Sequence, residues 1–230
     1  MRQLGILLCL AGAGASPPDE AKRLLDEAGV RGGFVVHLGC GDGALTAALK
    51  AGDGFHVHGL DRDPARVEAA RAHVRSKGTY GPIAIDRLDG DRLPYVDSSV
   101  NMVVAETADV PREEIFRVLA PRGVLMSKKD GAWTKTVKPV PADIDDWTHY
   151  LHGPDGNPAA RGTAITPPRH LQWLGSPRWS RHHDRMASMS ALVSDQGRLF
   201  YVMDEGSRIS ILLPPKWMLI ARDAFNGVVL

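Results

Sequence analysis

Cysteine, aromatic residues, a surplus of either charge and long apolar runs are all scarce in this sequence of 230 residues. The two cysteines, Cys9 and Cys40, are far apart, and Cys40 lies inside a glycine-rich run, so they make neither a disulfide framework nor a closed zinc site. Basic and acidic residues nearly cancel, 28 against 27, and are interspersed, which argues against the basic stripe of a generic nucleic-acid surface. The apolar stretch Leu4 to Leu10 is too short to cross a bilayer as a helix, so no membrane span is expected in the mature chain. What remains, 43% hydrophobic and 24% charged, is the composition of a globular protein with length for one large domain or two small ones.

The first fifteen residues have the layout of a secretory signal. Arg2 supplies a positive start, Leu4 to Leu10 an apolar core, and Ala13-Gly14-Ala15 a small-residue cleavage site. Export to a periplasm or cell envelope follows from this reading. An apolar first helix or strand, with a cytoplasmic location, is the alternative.

Beyond Ser16 the pattern becomes regular. A capping serine, early prolines, acids at Asp19 and Glu20 and a stop at Gly29 predict a short helix. Compact apolar runs at 34–38, 55–60, 83–85, 100–105 and 124–126 read as buried strands. Helical segments at 44–50, 64–76 and 111–119 separate them, Asp63 and Pro64 opening the second. Strands alternating with helices predict an α/β domain over residues 16–130, a doubly wound parallel sheet covered on both faces. Residues 131–185 read as a proline-rich connector. Short strands expected at 191–193, 199–202 and 209–212 start an all-β segment over 186–230.

The chemistry-bearing run is Gly39-Cys40-Gly41-Asp42-Gly43, between a predicted strand and a predicted helix. Glycines there let the backbone turn sharply and approach a ligand, and a helix N-terminus adds partial positive charge. Asp61 closes the next strand, 20 residues after Gly41, where a carboxylate can accept from both hydroxyls of an adenosine ribose. Gly39-x-Gly41-x-x-Ala44 also satisfies the dinucleotide fingerprint, so NAD stands beside S-adenosylmethionine as a cofactor reading.

Downstream residues favour the second cofactor. Val36-His37-Leu38-Gly39-Cys40-Gly41-Asp42-Gly43 resembles the first motif of class I S-adenosylmethionine-dependent methyltransferases, which are Rossmann-like, and Leu60-Asp61 resembles their second-strand acid. The stretches Asp89 to Val100 and Glu114 to Leu125 resemble the family's approach to its fourth strand and its following helix and strand. The resemblance implies that Gly39, Cys40, Gly41 and Gly43 line the methionine and ribose part of the cofactor. It places Asp61 on the ribose, Arg62 beside the adenine, Asp89 on the adenine amino group and Gly90 where close approach is needed. Glu106 falls where the family opens toward substrate, or is a solvated loop acid. The sequence departs from the family at His37, where an acid is usual, at Asn101, where the fourth strand usually begins with Asp, and in the short stretch from Glu106 to Pro111. Methyl transfer needs chiefly alignment of a nucleophile with the methyl group, so no catalytic residue is assigned and the acceptor is not legible.

Asp143 to Gly153 and Arg178 to Asp184 are polar-aromatic clusters. His149, His152, His183 and Asp184 have metal-ligating chemistry, but their spacing matches no closed zinc pattern. The preferred reading is a set of hydrogen-bonding residues that pin the connector onto the β segment, with no metal. The tail, Gly197 to Val202 and Leu219 to Leu230, resembles one repeat of the pyrroloquinoline-quinone-type β-propeller family. One blade cannot close a propeller, so the resemblance implies further blades in a longer parent chain. Two functions therefore stand at this level: a methyltransferase joined to the start of a propeller, or a degenerate methyltransferase-like domain in an exported propeller scaffold. An NAD-dependent oxidoreductase is a third, on the glycine spacing alone.

Overall fold

In the computed structural model, residues 16–107, 109–164, 171–176, 181, 189–210 and 212–230 are described. The expected leader over 1–15, Cys9, and the ligand candidates His183 and Asp184 lie outside these residues.

Helix α1 (Pro17–Ala28) forms because Ser16 caps it, its prolines sit in the first turn, and Gly29 ends it at φ 74°. It buries Ala21, Leu24, Leu25 and Ala28, the i, i+3, i+4, i+7 stripe of an amphipathic helix. Strand β1 (Gly33–Leu38) follows, then α2 (Ala44–Leu49), β2 (Phe55–Asp61), α3 (Pro64–Ser76) and β3 (Ile83–Arg87). Next come β4 (Val100–Ala105), α4 (Arg112–Val118), β5 (Leu119–Lys129) and β6 (Ala132–Val137). The six strands form one sheet in the order β3-β2-β1-β4-β5-β6. Helices α1, α2 and α3 cover one face over Val35, Val57, Met102 and Met126, while α4 and the 88–95 loop cover the other over Val36, Leu38, Val103 and Leu125. That loop contains no helix and is held by Arg117, which donates to the Leu93 and Tyr95 carbonyls while pairing with Glu114 at 2.7 Å.

Two expectations are corrected. The sheet is mixed rather than wholly parallel: β6 runs antiparallel to β5 and carries the sheet to Val137, past the boundary expected at residue 130. The cause is the two-residue turn Asp130-Gly131, with φ of 51° and 80°, a left-handed pair that folds a tight hairpin. Further on, residues 209, 210 and 212 carry no strand, and Ile209 and Leu212 are over 90% exposed. Pro214 and Pro215 follow after Leu213 and lack the N–H groups that a ladder needs. The third strand begins at Trp217 instead.

The C-terminal region is a second sheet, β7 (Met189–Asp195), β8 (Arg198–Asp204) and β9 (Trp217–Asp223), antiparallel in the order β7-β8-β9. Past β9, an Arg222–Val229 bridge and the Leu230 N–H bond to the Ala221 carbonyl lay the last residues along its free edge. This sheet is tied to the first at the N-terminal end of β4. Asn101 Oδ1 accepts from the Phe34 amide at 2.7 Å and from Asn226 Nδ2 at 2.7 Å, and Asn101 Nδ2 donates to Asp223 Oδ2 at 2.6 Å. The departure at Asn101 therefore lies at the opposite end of the strand from the glycine turn. An amide serves there because it both donates and accepts, which a carboxylate does not.

Candidate functional site

In an open parallel sheet, ligands bind outside the carboxyl ends of the strands where the strand order reverses. Here β1 is flanked by β2 and β4, and the glycine turn leaves the carboxyl end of β1. Gly39, Gly41 and Gly43 all have positive φ, at 77°, 54° and 80°. A Cβ on Gly39 would come within 2.9 Å of the Thr107 side chain, and one on Gly43 within 2.9 Å of Ala70 on α3. Gly41 faces open space. The first and third glycines thus permit close packing, and the middle one leaves its backbone bare toward the ligand side.

Asp61, buried at the end of β2, accepts from the Gly41 N–H and the Asp63 N–H, both at 3.0 Å. Its carboxylate couples the glycine turn to the start of α3 and keeps lone pairs for a ligand. A cavity of about 230 Å³ opens there, lined by Gly39, Asp61, Arg62, Arg66, Thr107 and Val110 among others. Arg62 Nη2 crosses its mouth, pairing with Asp91 at 2.9 Å and donating to the Asp109 carbonyl at 3.0 Å. That volume is less than the roughly 300–1,000 Å³ of a pocket closing over a whole drug-sized ligand.

The residues expected at the site divide into three groups. Gly39, Asp61 and Arg62 line the cavity together. Cys40, Gly41 and Gly43 belong to the turn but not to the cavity lining. The Cys40 side chain goes inward, its Cβ within 3.1 Å of the place a Cβ would occupy on Gly59. Burial, and after it the Asp61 carboxylate, pushes this thiol up to about 12, so only the Cys40 backbone faces the ligand side. Asp89 and Gly90 stand outside the lining, with the exposed Asp89 paired to Arg87 at 3.0 Å. In the connector, His152 Nε2 bonds Asp145 Oδ2 at 2.7 Å and packs edge-on against Trp147, while His149 Nδ1 pairs with Thr148. Those two histidines serve as internal ties.

Sequence reading marked His37 and Glu106 singly but not the polar cluster they form with Lys128 and Glu20 on the other side of Gly39. His37 is buried at 1% exposure, with Nδ1 on the Thr46 hydroxyl at 2.8 Å. Its Nε2 makes no hydrogen bond and lies 3.4 Å from Glu106 Oε1. Glu106 also faces Lys128 Nζ at 3.5 Å, and Lys128 reaches Glu20 at 3.9 Å and rests over the Trp133 ring at 5.2 Å. The His37 ring and then the Lys128 ammonium hold the Glu106 carboxyl below the usual range, against burial that raises it. Only the tertiary fold joins these residues, which come from three strands, the turn after β4 and two helices.

A buried His37 nitrogen without a hydrogen-bond partner, a glycine turn with a bare middle residue and the buried Asp61 carboxylate together fit an adenosine ligand with an amino-acid tail. Residues 35–123 match the methyltransferase-domain family. The chain is 34% identical to the demethylmenaquinone methyltransferase of Lactobacillus johnsonii over 40% of this chain and 41% of that protein. It is 32% identical to the methyltransferase GfsG of Streptomyces halstedii over 50% and 44%, respectively. The chain thus spans less than half the length of these curated relatives. Among solved structures, an S-adenosylmethionine-dependent methyltransferase of Aquifex aeolicus superposes with a TM-score of 0.43 at 19% identity, over 49% of this chain and 68% of that one.

Proposed function

We propose that the methyltransferase domain matched over residues 35–123 binds S-adenosylmethionine at the glycine turn and transfers its methyl group to an acceptor whose identity is open. The observation that carries this reading is the Asp61 carboxylate, bonded to the Gly41 amide at 3.0 Å in the wall of the cavity. The cofactor supplies an electrophilic methyl carbon on a sulfonium. When bound, it would give that methyl to an acceptor nucleophile, with sulfur keeping the electron pair of the broken carbon–sulfur bond and the acceptor's proton passing to solvent. The protein's part is to hold the two reactants in line. The His37 and Asn101 departures agree with a functional site, since Asn101 ties the two sheets far from the glycine turn and His37 packs beneath it. Ribose recognition by Asp61 and a place for the adenine near Arg62 follow from the same reading; Asp89 and Gly90 would need the 88–95 loop to move inward.

The C-terminal sheet is proposed, in addition, as part of a propeller blade. Support comes from its three-strand antiparallel meander and from the single bridge, Arg222 to Val229, that lays the following chain along β9 where a blade has its fourth strand. Thermal unfolding in the presence of S-adenosylmethionine tests the cofactor assignment. A ligand at a hundred times its dissociation constant stabilises the folded state by about 2.7 kcal/mol, so the melting temperature should rise with its concentration. A melting curve that does not move with S-adenosylmethionine contradicts the reading.

A further inference from the structure

Glu106 stands at the carboxyl end of β4, one residue past the strand, with its N–H on the Leu38 carbonyl at 3.0 Å. Its Cβ lies 3.6 Å from where a Cβ would sit on Gly39, so it borders the glycine turn directly. Asp61 borders the same turn from β2. A ligand laid across the carboxyl ends with its ribose on Asp61 therefore carries its other end toward β4 and Glu106. Charge is unbalanced at that end: Glu106 and Glu20 bring two carboxylates, and Lys128 brings one ammonium between them. Beneath them, the fully buried His37 keeps Nε2 without a hydrogen-bond partner and turned toward Glu106. A buried polar atom left so costs free energy unless a bound group completes its surroundings.

We propose that Glu106, at the carboxyl end of β4, is the carboxylate that receives the amino group of the cofactor's amino-acid tail. This rests on the cofactor reading above. An ammonium between Glu106 and the glycine turn balances the second carboxylate, and Lys128 beside it offers a counter-charge to the tail's own carboxylate. The His37 ring and then Lys128 hold the Glu106 carboxyl below its usual range, which suits a fixed counter-charge.

The test compares two ligands on the full chain by titration calorimetry: S-adenosylhomocysteine, and its deaminated analogue in which hydrogen replaces the amino group. Wild-type protein is expected to prefer the amino-bearing ligand by about 10- to 100-fold, the ratio given by one hydrogen bond to a charged group. Glu106→Gln is expected to bind both ligands with the affinity wild type shows for the deaminated one. The wild-type comparison stands alone should the variant fail to fold. Equal wild-type affinities, or a preference that survives in Glu106→Gln, overturn the assignment while leaving the cofactor in place. Binding of neither ligand by wild type overturns the cofactor reading, and this assignment with it.

Discussion

Exchanging the amide of Asn101 for a carboxylate should loosen the seam between the two sheets. In Asn101→Asp, one oxygen can still accept from the Phe34 amide and from Asn226, but the donor to Asp223 becomes an acceptor facing a carboxylate at 2.6 Å. Two costs add. The lost hydrogen bond to a charged group contributes about 1.5–3 kcal/mol. Two like charges relaxed to about 4 Å repel by about 1 kcal/mol in water and about 4 kcal/mol at the effective dielectric of a protein surface. Since the seam is half-buried and side chains can rotate away, the net loss is expected at about 2–5 kcal/mol. Urea unfolding followed by circular dichroism measures it, with limited proteolysis reporting cleavage within 189–230. Reversing the pair, Asn101→Asp with Asp223→Asn, restores one donor and one acceptor. An asparagine at 223 still accepts from the Phe225 and Asn226 amides that the native carboxylate caps at 2.8 and 3.0 Å. The double variant should recover about 2 kcal/mol of the loss. A single-variant cost below about 0.5 kcal/mol, or no recovery on reversal, refutes the reasoning.

Further outcomes follow from the site. Gly43→Ala places a Cβ 2.9 Å from Ala70 at φ 80°, combining left-handed strain of about 1–2 kcal/mol with overpacking of about 1–3 kcal/mol. The melting temperature should fall by about 5–15 °C, and a change within about 2 °C would show that α2 and α3 are not so tightly apposed. In a Cys9→Ser background, the Cys40 thiol, raised from 9.0 to about 12, should hold about a thousandth of the ordinary thiolate fraction. It should react with iodoacetamide at pH 8 only after unfolding; modification of the native protein at a free-thiol rate contradicts its burial. Glu106 has a folded-state pKa below its unfolded one, so its contribution to stability is present above the unfolded value and is lost as pH falls through the folded one. The difference in stability between wild type and Glu106→Gln should therefore shrink on acidification from pH 6 to pH 3, and a difference that grows would reverse the sign assigned here.

Much of the first sheet was legible because its signals are local. Ser16, Pro17 and Gly29 mark α1, and Asp63-Pro64 marks α3, as the structure has them. Strand β6 was missed although its hairpin signal, Asp130-Gly131, is equally local. Its alternation over Ala132 to Val137 is weak because an edge strand exposes much of both faces. The misplaced third strand of the C-terminal sheet has the opposite origin: Ile209, Leu212 and Leu213 are apolar enough for a strand, but the proline pair after them shifts pairing to Trp217. At the site, Gly39 and Asp61 could be read because strand–turn–helix context fixes them. The Asn101–Asp223 bond spans 122 positions in the chain, and the His37–Glu106–Lys128–Glu20 cluster draws on strand ends and helix α1, which meet only in the fold. No spacing rule reaches either. The inward turn of Cys40 was equally hidden, since it depends on the bare Cα of Gly59 on the neighbouring strand.

The central claim, that the glycine turn and Asp61 form an S-adenosylmethionine site, is tested most directly by calorimetric titration of S-adenosylmethionine and, separately, NAD into the full chain, with Asp61→Ala alongside and its folding checked by circular dichroism. The account predicts saturable binding of S-adenosylmethionine, no comparable heat from NAD, and loss of binding in a folded Asp61→Ala protein. Binding of NAD in preference, or S-adenosylmethionine binding that is unchanged without the Asp61 carboxylate, would contradict it.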